Sequence, residues 1–379
     1  MTVIENNQIA IIGAGIGGLT LASIMQKYGL KPLIFEREPS STYRQQGGTL
    51  DIHSNTGQLI LKEAGLFEKF QSLARYEGQD FRLLDKTGKI YMNEVSDEED
   101  IHRPEIDRSE LRKLLLNSID TDRIYWRYEL LEATQIENNK IKLSFKNGKI
   151  TIVDILIGAD GAFSQTRNLL STVKPQYTGI TMVELHLENA KQNYPEIASF
   201  NGNGSLSALS DHKGISAQLN GDGSIKVYLS LKVEYEWLAA FKNSYALPEQ
   251  AKSKLITFFK NWDERLLHYI RYADDNVILR HIYMLPIGHK WERKPGITLL
   301  GDAAHLMSPS AGQGANLAML DAMELALSFV KHSDINIAIT EYEEKMFNYS
   351  AQAAKQTYNN SQLLYSDNAA SKFARLMGD

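Results

Sequence analysis

Two glycine-bearing stretches at opposite ends of this 379-residue sequence hold the residue types that could do chemistry. The first is Gly13-Ala14-Gly15-Ile16-Gly17-Gly18, with Glu36 further on. In a Gly-x-Gly-x-x-Gly turn Gly13 makes the tight bend, Gly15 lets backbone reach a pyrophosphate, and Gly18 lets the following helix pack closely. Glu36 stands where a carboxylate takes ribose hydroxyls. The second stretch is Gly301-Asp302-Ala303-Ala304-His305, continued by Pro309-Ser310-Ala311-Gly312-Gln313-Gly314-Ala315-Asn316. Asp302 can hold a ligand hydroxyl, and the loop glycines let backbone approach a flat ring. The helix beyond turns partial positive charge toward whatever becomes anionic there. This suits a flavin, whose pyrimidine end becomes negative on reduction.

Both stretches require a strand in front and a helix behind, and the flanking sequence supplies them. Residues 9–12 are a short apolar run, a helical pattern follows to Tyr28-Gly29, and residues 32–35 form a second run closed by Glu36-Arg37. Residues 297–300 read as a buried strand leading through the Gly301-Asp302 turn to a helix over residues 315–329. A third such strand, residues 155–158, ends in Ala159-Asp160-Gly161, followed by Ser164 and Arg167. Helical periodicity runs over residues 56–73 and 106–116, the latter with Asp107 near its cap, and Asn147-Gly148 marks a hairpin. From 175 to 286 the pattern changes to alternation, at 180–187, 205–209, 215–219, 225–231 and 277–285, with one helix at 248–272. A long helix is expected over 336–365. The fold class expected is therefore α/β: a Rossmann-type nucleotide-binding domain (1–174 and 287–335) interrupted by an antiparallel-sheet substrate domain (175–286), with a bridging C-terminal helix (336–379). Arg37 and Arg44 are candidates for phosphate contacts or ordinary loop residues, and Arg108 either reaches a cofactor or pairs along its own helix face.

Composition narrows the function classes. A net charge of −5 gives no reason to expect nucleic acid or an anionic membrane as partner. There is no cysteine, which removes disulfides, zinc–thiolate sites and a cysteine nucleophile, and fits a cytoplasmic location. The polar start is not a signal peptide, and no apolar run is long enough to span a bilayer. The nine histidines form no ligand-spaced pair, so no metal is expected. Ser308 and Ser310 lack a Gly-x-Ser-x-Gly elbow. His305 reads as a packing or capping residue, and no side chain is assigned to catalysis.

Gly13-x-Gly15-x-x-Gly18 with Glu36, then Gly158-Ala159-Asp160-Gly161, then Gly301-Asp302 with Pro309-x-x-Gly312-x-Gly314, occur in that order. In this the chain resembles the class A FAD-dependent monooxygenases, the aromatic-hydroxylase family. Within it the chain is most similar, nearly end to end, to the tetracycline-inactivating monooxygenases. Phe35-Glu36-Arg37, Gly47-Gly48-Thr49-Leu50-Asp51-Ile52-His53, Asn261-Trp262-Asp263-Glu264-Arg265 and Gly301-Asp302-Ala303-Ala304-His305-Leu306-Met307 carry the likeness. The resemblance implies that Asp51, Arg108 and Asp302 contact FAD, with Glu36 on the adenosine ribose and Asp160 in the family's Asp-Gly motif. Pro309, Gly312, Gly314, Ala315 and Asn316 complete the cofactor set, and Arg44 falls where those enzymes bind NADPH. It further implies hydroxylation of a polycyclic or aromatic small molecule with O2, through a flavin hydroperoxide.

The substrate side departs from that pattern. The resistance enzymes hold the drug with a glutamine, an arginine and a histidine, where this chain offers Met182-Val183, Gly204-Ser205 and Lys226. Met182, Lys226 and Met284 are the candidate substrate contacts, and a monomer is expected. Two alternatives stand beside tetracycline inactivation: the same flavin chemistry on another phenolic or biosynthetic substrate, and a flavin-free pyridine-nucleotide dehydrogenase.

Overall fold

The computed structural model describes residues 8–43, 47–96 and 102–378. Five short strands form a parallel sheet in the order Ile297–Leu299, Ile155–Gly158, Ile9–Ile12, Leu33–Glu36, Ile124–Trp126. The first four are buried throughout, which explains why they read as unbroken apolar runs rather than alternating ones. Because neighbouring strands run parallel, the turns after Ile12, Gly158 and Leu299 leave the sheet at one common edge. Two segments almost 290 residues apart in the chain are thereby only one strand removed from each other.

A second, seven-stranded sheet runs in the order Ile278–Met284, Gln176–Leu187, Ile225–Lys232, Lys213–Leu219, Ser205–Ser210, Phe81–Leu84, Ile90–Glu94. Its last two strands come from residues that the sequence division leaves inside 1–174. Phe81–Leu84 joins parallel to Ser205–Ser210, a long-range pairing that no local pattern announces. Val183, Leu185, Ile215, Ala217, Val227 and Leu229 alternate toward one face, where they pack with Phe259, Leu266 and Tyr269 into a core. The opposite face carries the polar alternates and looks toward the parallel sheet.

Two expected helices are interrupted. The pattern over 248–272 is Pro248–Phe258 and Glu264–Arg271, restarted where the Asp263 carboxylate accepts from Arg265 N–H at 2.9 Å. The pattern over 56–73 is Gly57–Glu63 and Phe67–Gln71, parted at Gly65, whose φ of +70° ends a helix readily. Ile124–Trp126 lies in the parallel sheet, whereas Leu130–Gln135 lies in a three-stranded antiparallel one.

The 30-residue helix Ile335–Leu364 packs against Gly314–Lys331 and is capped by Asp334. The buried Glu343 on it accepts from Trp291 Nε1 (3.0 Å), Thr298 Oγ1 (2.9 Å) and Arg293 Nε (3.1 Å). Burial raises the Glu343 pKa, and these three donors work against that rise. Tyr342 donates to the Leu299 carbonyl at 2.8 Å, so this helix is fastened to the strand that leads into the Gly301-Asp302 turn. A last helix, Ala369–Gly378, covers the end of the seven-stranded sheet.

Candidate active site

A cavity of about 1570 Å³ begins at the common strand edge and extends to the polar face of the seven-stranded sheet. Gly13, Gly15, Gly18, Glu36, Arg37, Asp51, Arg108, Asp160, Asp302, Pro309, Gly312, Gly314 and Ala315 all line it. Arg44 lies outside the described residues. The sequence therefore named residues from six separate segments that the fold brings to one cavity.

At the first turn, geometry separates the glycines by role. A Cβ on Gly13 (φ +108°) would sit 2.4 Å from the Ala159 carbonyl oxygen, and one on Gly18 would sit 2.1 Å from that of Gly13. Those two are required by packing. A Cβ on Gly15 would meet no atom within 4 Å, so its absence serves the space in front of it. The helix Ile16–Lys27 begins there with no side-chain cap, leaving its first N–H groups for a ligand. Glu36 takes Ala14 N–H on Oε2 (2.6 Å) and Glu38 N–H on Oε1 (2.9 Å), which fixes the carboxylate at the strand end.

Arg112, which no motif pointed to, is buried beneath this turn. It donates to the carbonyls of Ala14 (3.1 Å) and Ser41 (2.7 Å) and to the Glu38 carboxylate (3.2 Å). Its spacing from Leu115 and Leu116 puts it on the apolar face of the Arg108–Leu116 helix, and an arginine there is the signal that could have found it.

The Asp160 carboxylate is bound within its own turn. It accepts from Gln165 N–H (2.8 Å), Thr166 N–H (3.1 Å) and the Ser164 hydroxyl, so it shapes the turn. Arg167 then joins the two turns. Its guanidinium donates to the carbonyls of Ala162 (2.9 Å), Asp302 (2.9 Å) and Ala303 (2.7 Å). Desolvation lowers the Arg167 pKa, against the attraction of Asp160 and Asp302. The Asp302 side chain is exposed to the cleft. Protein crowds it from the other sides, and that desolvation raises its carboxyl above the usual range despite His305, Arg108 and Arg167.

Behind Asp302 lies a buried polar group. Asp321 Oδ2 accepts Gly301 N–H (2.6 Å) and faces His305 Nε2 (2.7 Å), while Oδ1 accepts the Tyr349 hydroxyl (2.5 Å). Burial by itself would lower the His305 pKa, but the Asp321 carboxylate outweighs it and the net shift is upward. His305 is thus occupied in holding its loop, as expected. Asn316 is similarly occupied: it donates to the Asp51 carbonyl (2.8 Å) and accepts from His53 N–H (3.1 Å). It does not line the cavity and positions Asp51 instead.

Asp51 belongs to a two-stranded ribbon, Thr49–Asp51 against Glu105–Asp107. Glu105 is buried at the cavity wall and accepts from the Thr49 hydroxyl at 2.6 Å. Burial first, then Asp51 and Asp107, push its carboxyl up to about 7, against Thr49 and Arg75. The folded state therefore holds this proton more tightly than the unfolded chain, whose value is 4.5. Its stabilisation is complete below that value and is lost as pH climbs through 7. We expect Glu105→Gln to be neutral near pH 5 and more stable than the parent by about 3 kcal/mol near pH 8.5, read by urea denaturation at both. An equal effect at both pH values would refute the buried-acid assignment.

On the substrate side Met182 lines the cavity, but Lys226 and Met284 do not. Lys226 shares the polar face, yet its amine is 3.5 Å from Glu184 and the Gly47-Gly48 segment lies over its stem. A Cβ on Gly48 would be 2.8 Å from the Tyr228 hydroxyl, 3.0 Å from Gln218 Oε1 and 3.6 Å from Lys226 Cγ. Met284 ends the edge strand opposite Gln176, away from the wall. Gln218, Tyr228 and Ser205, Ser207, Ser216 and Ser230 form the wall instead. Apart from Ser205 they were missed, because single polar residues on alternating strands look like solvent-facing positions. Among the described residues one trio could hold a metal, His186, Glu188 and Asp274; none of them lines the cavity.

The cavity fits FAD on its own evidence. Built Cβ atoms on Gly15, Gly161 and Gly314 meet nothing within 4 Å, and all three residues line it. The N–H groups of Ile16–Lys27 and Gly314–Lys331 have no side-chain cap. Comparison with known proteins agrees. The model of the FAD-binding domain family matches residues 6–219 and 289–344. Monooxygenase asqM of Emericella nidulans is 30% identical over 437 residues, covering 98% of each chain. Among solved structures, Klebsiella pneumoniae HpxO complexed with FAD and uric acid has a TM-score of 0.81 at 18% identity, covering 98% of this chain and 93% of that one. The tetracycline destructase Tet(55) has a TM-score of 0.73 at 23% identity, covering 94% and 89%. At those identities the two structures show the shared fold. The flavin-free alternative is set aside by the family match. With its nucleotide turn, its Asp302 turn and a relative matched from end to end, the chain belongs to the FAD-dependent monooxygenases built on this FAD-binding domain.

Proposed function

We propose that the chain hydroxylates a polycyclic or aromatic substrate at the expense of NADPH and O2, with tetracycline-type compounds as the first candidates. The observation that carries this is one continuous cavity joining the Gly13 and Asp302 turns to the polar face of the second sheet. A flavin lying along the turns would present its ring to a molecule resting on that face. Bound FAD supplies hydride acceptance and oxygen activation, so the protein needs no nucleophile of its own. Its residues bind, orient and exclude water. Glu36 and Asp302 take ligand hydroxyls, and the Gly314–Lys331 N-terminus favours negative charge on the ring. Arg37, exposed on the cavity wall, and Arg44 are the proposed contacts for the NADPH phosphate. The protein is proposed to act as a monomer. The membrane is not proposed as a partner: among the described residues no helix is long and apolar enough to cross one.

A second reading, the same chemistry on a different phenol, is favoured by the wall of serines that stands where Lys226 was expected. Both readings meet one assay: NADPH oxidation by the FAD-loaded protein, with peroxide and product mass followed across a panel of tetracyclines and other polycyclic phenols. Coupled turnover with gain of one oxygen atom on a tetracycline supports the first, and gain only on other phenols supports the second. NADPH oxidation that yields only peroxide with every compound would count against both.

A further inference from the structure

Strand register defines three rows across the cavity face of the seven-stranded sheet. One is Leu209, Gly214, Ser230, Met182, Arg280; the next is Leu83, Ser207, Ser216, Tyr228, Glu184; the third is Phe81, Ser205, Gln218, Lys226, His186. Between Phe81–Leu84 and the far edge, charge in each row is confined to the strands beyond Lys213–Leu219; on the other side the outer strand adds only a carboxylate, Glu94 opposite Phe81. Lys226 pairs with Glu184 and lies under Gly48, and Arg280 pairs with the other Glu184 oxygen at 3.3 Å. The middle of the face is neutral and hydroxylated. Ser207 and Ser216 are 3.0 Å apart, oxygen to oxygen, which leaves each hydroxyl with bonding capacity for a ligand. The end wall is apolar: Phe373 of the last helix packs with Leu83 and Leu209, and Phe373 and Met377 both line the same cavity.

We propose that the part of the substrate resting on this sheet is uncharged, with hydroxyl or carbonyl oxygens along the edge that meets Ser207, Ser216 and Gln218, and hydrocarbon along the edge that meets Leu83, Leu209 and Phe373. This rests on the reading that the cavity holds substrate beside FAD. In these rows no cation stands on the two strands that carry Ser207 and Ser216, so a carboxylate resting there would be buried without a partner beside it. Arg75 is bound to Asp107. Arg108 lies beside Gly47 and acts both on Asp302, on the flavin side, and on Tyr228, where the Glu184 carboxylate opposes it. Hydroxyl groups alone compensate poorly for taking a full charge out of water. The site thus separates neutral polycycles from small aromatic acids.

The test is equilibrium binding to the FAD-loaded holoenzyme without NADPH, read by flavin fluorescence. The probes are a neutral dihydroxyanthraquinone and the same ring system bearing one carboxylate. We expect the neutral ring to bind at least ~10-fold more tightly above the carboxylate's pKa. Ser207→Ala with Ser216→Ala should weaken the neutral ring by about 10-fold, with FAD occupancy retained. Ser216→Lys should narrow or reverse the preference. Equal or tighter binding of the carboxylate, failure of both rings to bind, or no change in the alanine variant would overturn the inference. So would carboxylate binding that disappears in Arg103→Gln, since Arg103 stands on the cavity wall. With NADPH and O2 then added to the same mixtures, neutral-ring binding without oxygen incorporation would count against the proposed hydroxylation of such rings alone. Oxygen incorporation into the carboxylate would sink this inference alone.

Discussion

Gly15→Val is expected to give a folded protein that no longer retains FAD. The side chain would project into space where no protein atom lies within 4 Å, so the apoprotein has nothing to rearrange. Its backbone at φ −80° and ψ −179° is extended and suits any residue. The valine would occupy the approach to the uncapped N–H groups of Ile16–Lys27, where a pyrophosphate must come into contact. Loss of those hydrogen bonds to a charged ligand, at about 1.5–3 kcal/mol each, amounts to at least ~100-fold in affinity. The visible flavin spectrum after reconstitution and gel filtration reports it, with apoprotein thermal unfolding as control. Gly18→Val, by contrast, collides with the Gly13 carbonyl at 2.1 Å and should lower the stability of the apoprotein itself. A yellow Gly15→Val protein would mean that the dinucleotide does not lie on this turn.

Asp321→Ala is expected to cost about 3–5 kcal/mol, as breaking a buried ion pair does. It would leave the His305 cation, the Gly301 N–H and the Tyr349 hydroxyl without their acceptor. The pair also carries a pH signature. The His305 pKa is raised in the fold, so its contribution is complete below the imidazole's ordinary value of 6.5 and is lost as pH rises through the raised one. Urea denaturation of the parent and of Asp321→Asn should therefore show a gap that is widest in acid and narrows in alkali. Because Gly301 precedes Asp302, FAD should also be held less tightly in both variants. A variant with parent-like stability at every pH would show that the network contributes nothing.

Much of the nucleotide half was legible because its signals are local. The Gly13 turn requires particular residues within six positions, and strands buried on both faces, such as Ile155–Gly158, read as apolar runs. The Asp302 turn and the Gly314–Lys331 helix were legible for the same reason. What escaped were contacts made by side chains across the chain. Arg112 is one, bonded to Ala14, 98 residues away. Asn316 is another, expected at the cofactor but spent on Asp51 and His53. Asp160 lines the cavity, and only the structure shows its carboxylate satisfied within its own turn.

The substrate wall marks the limit most sharply. Alternation in 205–209, 215–219 and 225–231 was enough to expect an antiparallel sheet, because a half-buried strand repeats every two residues. The sequence by itself thus determined the elements, the two kinds of sheet and the glycine turns. Which face of a strand meets a ligand depends on register and on what covers the other end. Only the tertiary structure put Ser207 beside Ser216, closed Gly48 over Lys226, and brought Phe81–Leu84 in from the other half of the chain. The last two come from packing between segments over a hundred residues apart, and packing energy of that kind leaves no periodic trace in either segment.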